Sequence, residues 1–280
     1  MKFTAIILGL LLSITAFAAP LEKVDVPAKT KTITLTSLNH VVLDGYVGGK
    51  RFFTALHQLL KLDSELAEGL PIYVVLNSGG GSVWAGLDFL NALKSINRPI
   101  YAIPLYAASM AFAITQGLEK RYVTNNSVLM QHRATIWLWG EMEGELKSRL
   151  EFFTRMIDFN ERKTAKRLGL TFDEFKAKIA DEWWIYGPDS VNAKVADEVI
   201  NVRCSKDLFK IEKEQFTWWR YKITIERSKC PLVTGLMKFD VKDKDEDKKT
   251  TKESKKRVRL FFTSPSEYYS KYELKDLFKQ

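Results

Sequence analysis

Long apolar runs are absent from this chain beyond its first twenty residues, and cysteine and histidine are scarce, with two and three respectively in 280 residues. Without a later run of ~20 apolar residues no segment is suited to cross a membrane, so the mature protein is expected to meet one peripherally at most. Two cysteines, Cys204 and Cys230, allow one disulfide or two separate thiols and nothing larger. Three histidines leave few choices for a general base. Acidic residues are the minority sign, 34 against 43 Lys and Arg, giving a net charge of +9. Much of that charge lies in a mixed-sign run over 238–257, which reads as a solvated segment rather than a phosphate-binding stripe. No nucleic-acid partner is therefore expected, and weak attraction to anionic envelope surfaces is the more modest use of the charge.

What is present begins with a leader. Met1-Lys2 precedes a nearly unbroken apolar run over 5–17, and Ala16-Phe17-Ala18 supplies an A-x-A end before Ala19-Pro20. A run that short with a basic start reads as a secretory signal at 1–18, cleaved after Ala18, and the expected location is periplasmic or secreted. A linker over 19–30, a catalytic domain over 31–202 and a C-terminal extension over 203–280 follow. An oxidising compartment would favour pairing Cys204 with Cys230, although spacing alone leaves two unpaired thiols open.

Between 31 and 202 strand and helix patterns alternate, which argues for an α/β fold. The stretch 30–36 alternates as a half-buried strand, and 50–63 places Phe52, Leu56, Leu59 and Leu60 on one helix face. The buried run 72–76 ends at Asn77-Ser78-Gly79-Gly80-Gly81, which reads as a tight turn. Val83, Leu87, Leu90 and Leu93 predict the apolar face of a second helix, and short strands are expected at 100–103, 121–123 and 128–130. Helical spacing from Glu141 to Gly169 predicts one long helix able to project from the domain. Thr171 and Glu174 open a shorter helix as a capping box. Beyond Cys204 the pattern weakens, with a strand possible near 216–224 and a terminal docking helix near 268–278.

Three stretches carry chemistry. The glycines at 79–81 permit backbone angles that aim N–H groups outward and let a substrate chain approach; the Gly-Lys-Ser/Thr ending of a phosphate loop is missing. Ser109, in Tyr106-Ala107-Ala108-Ser109-Met110, stands where a strand gives way to a helix, and is either an N-cap or a hydroxyl presented at the tip of a sheet. In the second case the N–H groups of Met110 and Gly81 would form an oxyanion hole, with Gly79 and Gly80 along the substrate. His132 follows an apolar strand, and an imidazole, titrating near ~6.5, can take a serine proton at neutral pH. His40 and His57 have no serine in their context and read as structural.

Together these stretches resemble the ClpP family of serine peptidases, within the ClpP/crotonase superfamily. The family pattern of Asn-Ser-Pro-Gly-Gly, Ala-Ala-Ser-Met and Met-x-His is similar to 77–81, to Ala107-Ala108-Ser109-Met110 and to Met130-Gln131-His132. Gly86, Arg121, Pro188-Asp189 and Ala196-Asp197-Glu198 extend the resemblance over 31–202. It implies repeated β-β-α units with a projecting helix, Ser109 as nucleophile, His132 as base, Gly81 and Met110 as oxyanion hole, and assembly into a homo-oligomer. It also implies a third, acidic residue: an ungapped match back from Asp197 selects Glu182, and the family's use of aspartate favours its neighbour Asp181. Gly79 replaces the usual proline.

The resulting expectation is a serine endopeptidase that needs no cofactor or metal and cleaves peptides or unfolded proteins through an acyl-enzyme. Family members work with a cytoplasmic ATP-driven unfoldase, a partner an exported copy would lack. The competing readings are a Ser-Lys peptidase using Lys120 or Lys147, crotonase chemistry on acyl-CoA thioesters, and a catalytically silent scaffold or partner-binding protein on the same fold.

Overall fold

In the computed structural model, residues 30–218, 221–233 and 238–243 are described. The expected signal peptide, nearly all of the linker, most of the charged run and the expected terminal helix lie outside them. The first part of the chain forms β1 (Thr32–Leu35), β2 (His40–Val47), α1 (Lys50–Glu65), β3 (Ile72–Gly81) and α2 (Val83–Ala92). Then come β4 (Ile100–Ala108), α3 (Met110–Gly117), β5 (Lys120–Val123), β6 (Val128–Gln131) and the long α4 (Glu145–Leu168). α5 (Phe172–Lys178), β7 (Trp183–Tyr186), α6 (Asp189–Asn192), β8 (Glu198–Val199) and β9 (Asn201–Cys204) complete the α/β region, and β10 (Ile211–Trp218), β11 (Tyr221–Ser228) and β12 (Lys238–Asp243) follow it.

A seven-stranded sheet carries the fold, ordered β2-β3-β4-β5-β8, with β6 beside the far end of β4 and β7 beside β6. All of its pairings are parallel except β6 with β7. β1 and β9 make a separate parallel pair, and β10-β11-β12 an antiparallel sheet. One face of the large sheet buries Val74 and Leu76 of β3 against Phe52, Leu59, Phe89 and Ile114 from α1, α2 and α3. The other face buries Val75 and Ile103 with Ile33, Leu35, Tyr122, Leu208 and the two cysteines. Cys204 and Cys230 form a disulfide there, with Cα atoms 5.8 Å apart. The segment after β9 is thus packed on the sheet that carries the site.

Two expected helix faces shift. On α1 the buried residues are Phe52, Ala55, Leu59 and Leu62, at spacings of a helix stripe, and Leu60 points outward. On α2 the buried residues are Ala85, Gly86 and Phe89, whereas Leu87, Leu90 and Leu93 line a cavity of about 510 Å³ beside Phe159 and Lys163 of α4. The cause is close packing on α3: a Cβ on Gly86 would lie 2.3 Å from the Met110 methyl. Small residues let the helices approach, and that gain outweighs the leucine stripe.

α4 behaves as a projecting element. Only Glu161, Ala165 and Leu168, near its C-terminal end, are buried, while Leu150 and Phe152 are about half exposed. Gly169 ends it with a left-handed φ of 70°, the conformation glycine adopts without steric cost. α5 begins with the capping box, as the Thr171 hydroxyl accepts from the Glu174 N–H and Glu174 accepts from the Thr171 N–H. Among the described residues no helix is long and apolar enough to cross a membrane.

Candidate active site

β4 runs farther than its apolar core suggests, through Pro104 to Ala108, because a register shift on the β3 side absorbs the proline, which has no N–H to donate. Ser109 then turns the chain into α3. Its φ of 55° and ψ of −120° are unfavourable for a residue with a Cβ, at a cost of ~1–3 kcal/mol. The turn is held from both sides: the Ser109 N–H donates to Met130 O at 2.9 Å, and Ala113 N–H donates to Ser109 O at 3.1 Å. Although Ser109 occupies the N-cap position, its side chain makes no capping bond. The hydroxyl instead meets His132, whose Nε2 lies 2.8 Å from Ser109 Oγ.

β3 supplies the second wall, and here the expected turn is corrected. The glycines at 79–81 remain inside the strand, with Gly80 and Gly81 paired to Tyr46 and Val47 of β2 across a bulge. Gly80 has a φ of +97°, and a Cβ there would meet Ala108 O at 2.7 Å, Ser109 Cβ at 2.7 Å and Met110 N at 2.9 Å. Gly80 is therefore the point of contact between this strand and the serine turn. Gly81, with φ +146°, would drive a Cβ into Val47 O and the Tyr46 ring; Gly79 faces only the Tyr106 ring, 3.9 Å away. Met110 heads α3, where first-turn N–H groups lack a helical acceptor, and it lies beside Gly80 as an oxyanion donor should.

Ser78 had no assigned role in the sequence pattern. It is 1 % exposed, its hydroxyl donates to Gly45 O at 2.5 Å and accepts from Gly80 N–H at 3.1 Å. One small hydroxyl thus fixes the strand where the glycines begin. Asn77, just before it, donates to Asp44 Oδ1 at 3.3 Å, and with Tyr106 it lines a cleft of about 470 Å³ shared with Asn125, Ile200 and Leu232. The polar character of Asn77-Ser78 between an apolar strand and glycines was the available signal.

The acidic position is where the structure adds most. β6 and β7 pair antiparallel, from Val128 with Tyr186 to Gln131 with Trp183. One step beyond that last pair stand His132 and Glu182. Glu182 has a φ of 66°, so the chain turns there, and its Oε2 accepts from Trp184 Nε1 at 3.0 Å. Its charge is also felt at Tyr106, whose phenol is pushed up first by burial and then by Glu182. Asp181 lies one residue farther and is exposed. Among the described residues, neither carboxylate bonds to His132.

The remaining candidates fall away from the serine. Lys120 begins β5, paired with Tyr101 near the opposite end of β4, and Lys147 is exposed on α4. His40 Nδ1 meets Thr36 O at 2.6 Å and His57 Nδ1 meets Phe53 O at 2.9 Å. Behind the site, Arg121 joins Asp197 at 2.5 Å and Gln116 at 2.5 Å, which ties β5 to the loop before β8. Among the described residues no group of three or more His, Cys, Asp or Glu side chains is placed to hold a metal ion.

Sequence comparisons place the chain in a family. A family profile described as Clp protease matches residues 28–203. The chain is 27 % identical over 146 residues to ATP-dependent Clp protease proteolytic subunit 2 of Prochlorococcus marinus (strain NATL2A), covering 51 % of this chain and 72 % of that protein. It is 26 % identical over 180 residues to the protein of the same name from strain MIT 9313, covering 63 % and 87 %. To proteolytic subunit 3 of Synechococcus sp. (strain CC9902) it is 28 % identical over 147 residues, covering 51 % and 73 %. With the matched region spanning the serine, the imidazole and the glycine strand, the chain belongs to the Clp protease family and is, at family level, a ClpP-like serine peptidase.

Proposed function

We propose that this chain is an exported, ATP-independent serine endopeptidase that cleaves peptides or unfolded proteins through an acyl-enzyme. The observation that carries the reading is the 2.8 Å contact between His132 Nε2 and a Ser109 hydroxyl held in a strained turn. Ser109 Oγ attacks the scissile carbonyl while His132 takes its proton; the oxyanion meets Met110 N–H and the glycine strand. The tetrahedral intermediate collapses, His132 returns the proton to the leaving amine, and the acyl group stays on Ser109. Water then attacks the ester with His132 again as base, releasing the acid and restoring the hydroxyl.

Glu182 is the acidic member of this reading, because it lies one residue beyond the last β6–β7 pair, as His132 does on the other strand, and Asp181 lies one residue farther. Export is supported by the leader at 1–18 and by the Cys204–Cys230 disulfide, a bond that persists in oxidising compartments. An exported enzyme has no ATP-driven unfoldase to feed it, so short or already unfolded chains are its substrates. The relatives are named as subunits, and this chain is expected to assemble with copies of itself.

A silent scaffold is the second reading, and the observation in its favour is that neither Glu182 nor Asp181 bonds to the imidazole. A fluorophosphonate probe decides between the two. Labelling of the mature protein that disappears in Ser109→Ala supports the peptidase; an unlabelled wild type, or undiminished hydrolysis by Ser109→Ala, removes it.

A further inference from the structure

The C-terminal segment does more than cover the sheet. β11 alternates so that Ile223 and Ile225 are buried, and Arg227 continues that face. Arg227 Nη1 donates to Asp44 Oδ2 at 3.2 Å, joining residues far apart in the chain across two sheets. Its side chain is 19 % exposed, and its Nε and Nη2 atoms are buried with no hydrogen-bond partner. A guanidinium with three of its five N–H donors buried and unpartnered is costly to maintain for packing alone.

Asp44 passes the contact on. It also accepts from Arg51 Nη1 at 2.6 Å and from Asn77 Nδ2 at 3.3 Å, and it pairs in register with Asn77. Burial pushes its carboxyl up, and the Arg51 charge opposes that rise; Arg227 brings a second cation to the same oxygen. Asn77 leads directly to Ser78, whose hydroxyl holds Gly80 N–H, and Gly80 touches Ser109 and Met110. The path from Arg227 to the oxyanion strand is therefore continuous: an ion pair to Asp44, a hydrogen bond to Asn77, the backbone from Asn77 to Ser78, a hydrogen bond to Gly80 N–H, and close packing of Gly80 on Ser109 and Met110. Three residues past Arg227, Cys230 is bonded to Cys204 at the end of β9, which anchors β11 to the sheet.

We propose that Arg227 is a positioning residue for the active site: the disulfide-anchored C-terminal segment clamps Asp44 and Asn77, and so sets the place of the glycine strand against Ser109. This rests on the peptidase reading for its catalytic consequence, though the clamp itself does not. A misplacement of the donors by ~1 Å is enough to cost catalysis up to ~100-fold.

The test uses Arg227→Met, which keeps the stem and removes the charge, Arg227→Lys, Asp44→Asn and the Arg227→Met/Asp44→Asn double variant, all in the full chain. Backbone hydrogen exchange in a peptide covering 77–82 reads the clamp directly, and fluorophosphonate labelling rate with peptide kcat and KM reads its effect on chemistry. Arg227→Met is expected to speed exchange at 77–82 and to lower labelling rate and kcat by about tenfold with KM within about twofold. Arg227→Lys should restore part of the rate, and the double variant should be no slower than the slower single one. Unchanged exchange at 77–82 overturns the clamp whether or not the protein is a peptidase. Faster exchange with unchanged labelling and kcat, or losses that simply add in the double variant, overturns the positioning role. A wild type that takes no probe removes the peptidase reading and leaves the clamp to be judged by exchange alone.

Discussion

The indole Nε1 of Trp184 donates to Glu182 Oε2 at 3.0 Å, engaging a carboxylate that stands one residue beyond the last β6–β7 pair, as His132 does on the facing strand. Both side chains are exposed, so the bond is made in water and is worth only ~0.5–1.5 kcal/mol. A weak bond of this kind can yield to a charge-assisted one, and an imidazolium formed during acyl transfer offers a stronger donor. On the proposed reading, indole and imidazolium compete for this one carboxylate during turnover.

Trp184→Phe is therefore expected to raise kcat. Removing the indole donor frees Glu182 for His132 Nδ1, and a gain of about three- to tenfold corresponds to loss of one ordinary hydrogen bond. Glu182→Gln in the same background should abolish the gain. Steady-state peptide hydrolysis checks both, and equal rates in Trp184→Phe and wild type would show that Glu182 does not orient the imidazole.

Gly80→Ala should suppress activity by about 100-fold or more. At φ +97° an L-residue is strained by ~1–3 kcal/mol, and its methyl would press on Ala108 O and Met110 N, opening the oxyanion site. Gly79→Ala has space and no positive φ to contend with, and should remain within about threefold of wild type. Parallel assays of the two alanines, with thermal melts to exclude unfolding, test the distinction.

Asp197→Asn should cost about 1–2 kcal/mol at neutral pH: the Arg121 guanidinium is 6 % exposed and loses its carboxylate, but Asp197 is 36 % exposed, so water screens part of the pair. Burial pushes the Asp197 carboxyl up, but the Arg121 hydrogen bonds and charge together outweigh burial and hold it below the usual range. A carboxyl lowered by folding stabilises fully above its unfolded value of ~3.9 and loses that contribution as pH falls through the folded value. Urea midpoints for wild type and variant should thus differ at pH 7 and converge below about pH 4. A constant gap down to pH 2.5 would place the pair's contribution elsewhere.

The reach of sequence reasoning differs from element to element. The long helix and its glycine stop were readable because 3.6-residue spacing and a C-terminal glycine are local signals, and they agree with α4 and Gly169. The α2 face was misread for a tertiary reason: Gly86 buys proximity to Met110, and nothing in the spacing of the leucines reports what lies opposite. Likewise the glycines at 79–81 look like a turn in isolation and are a strand only because β2 pairs with them across a bulge.

By itself the sequence determined which side chains are available for chemistry: one serine at a strand-to-helix boundary, one imidazole after an apolar strand, a run of glycines, and two cysteines. Residue type and local order suffice for that, since they set intrinsic reactivity and backbone preference. Only the tertiary structure decided which of these groups meet. Strand pairing of β6 with β7 brought Gln131, just before His132, opposite Trp183, just after Glu182, and sheet packing carried Arg227 to Asp44, 183 residues away. Such contacts depend on pairing and burial summed over the whole sheet, which no short stretch of chain encodes.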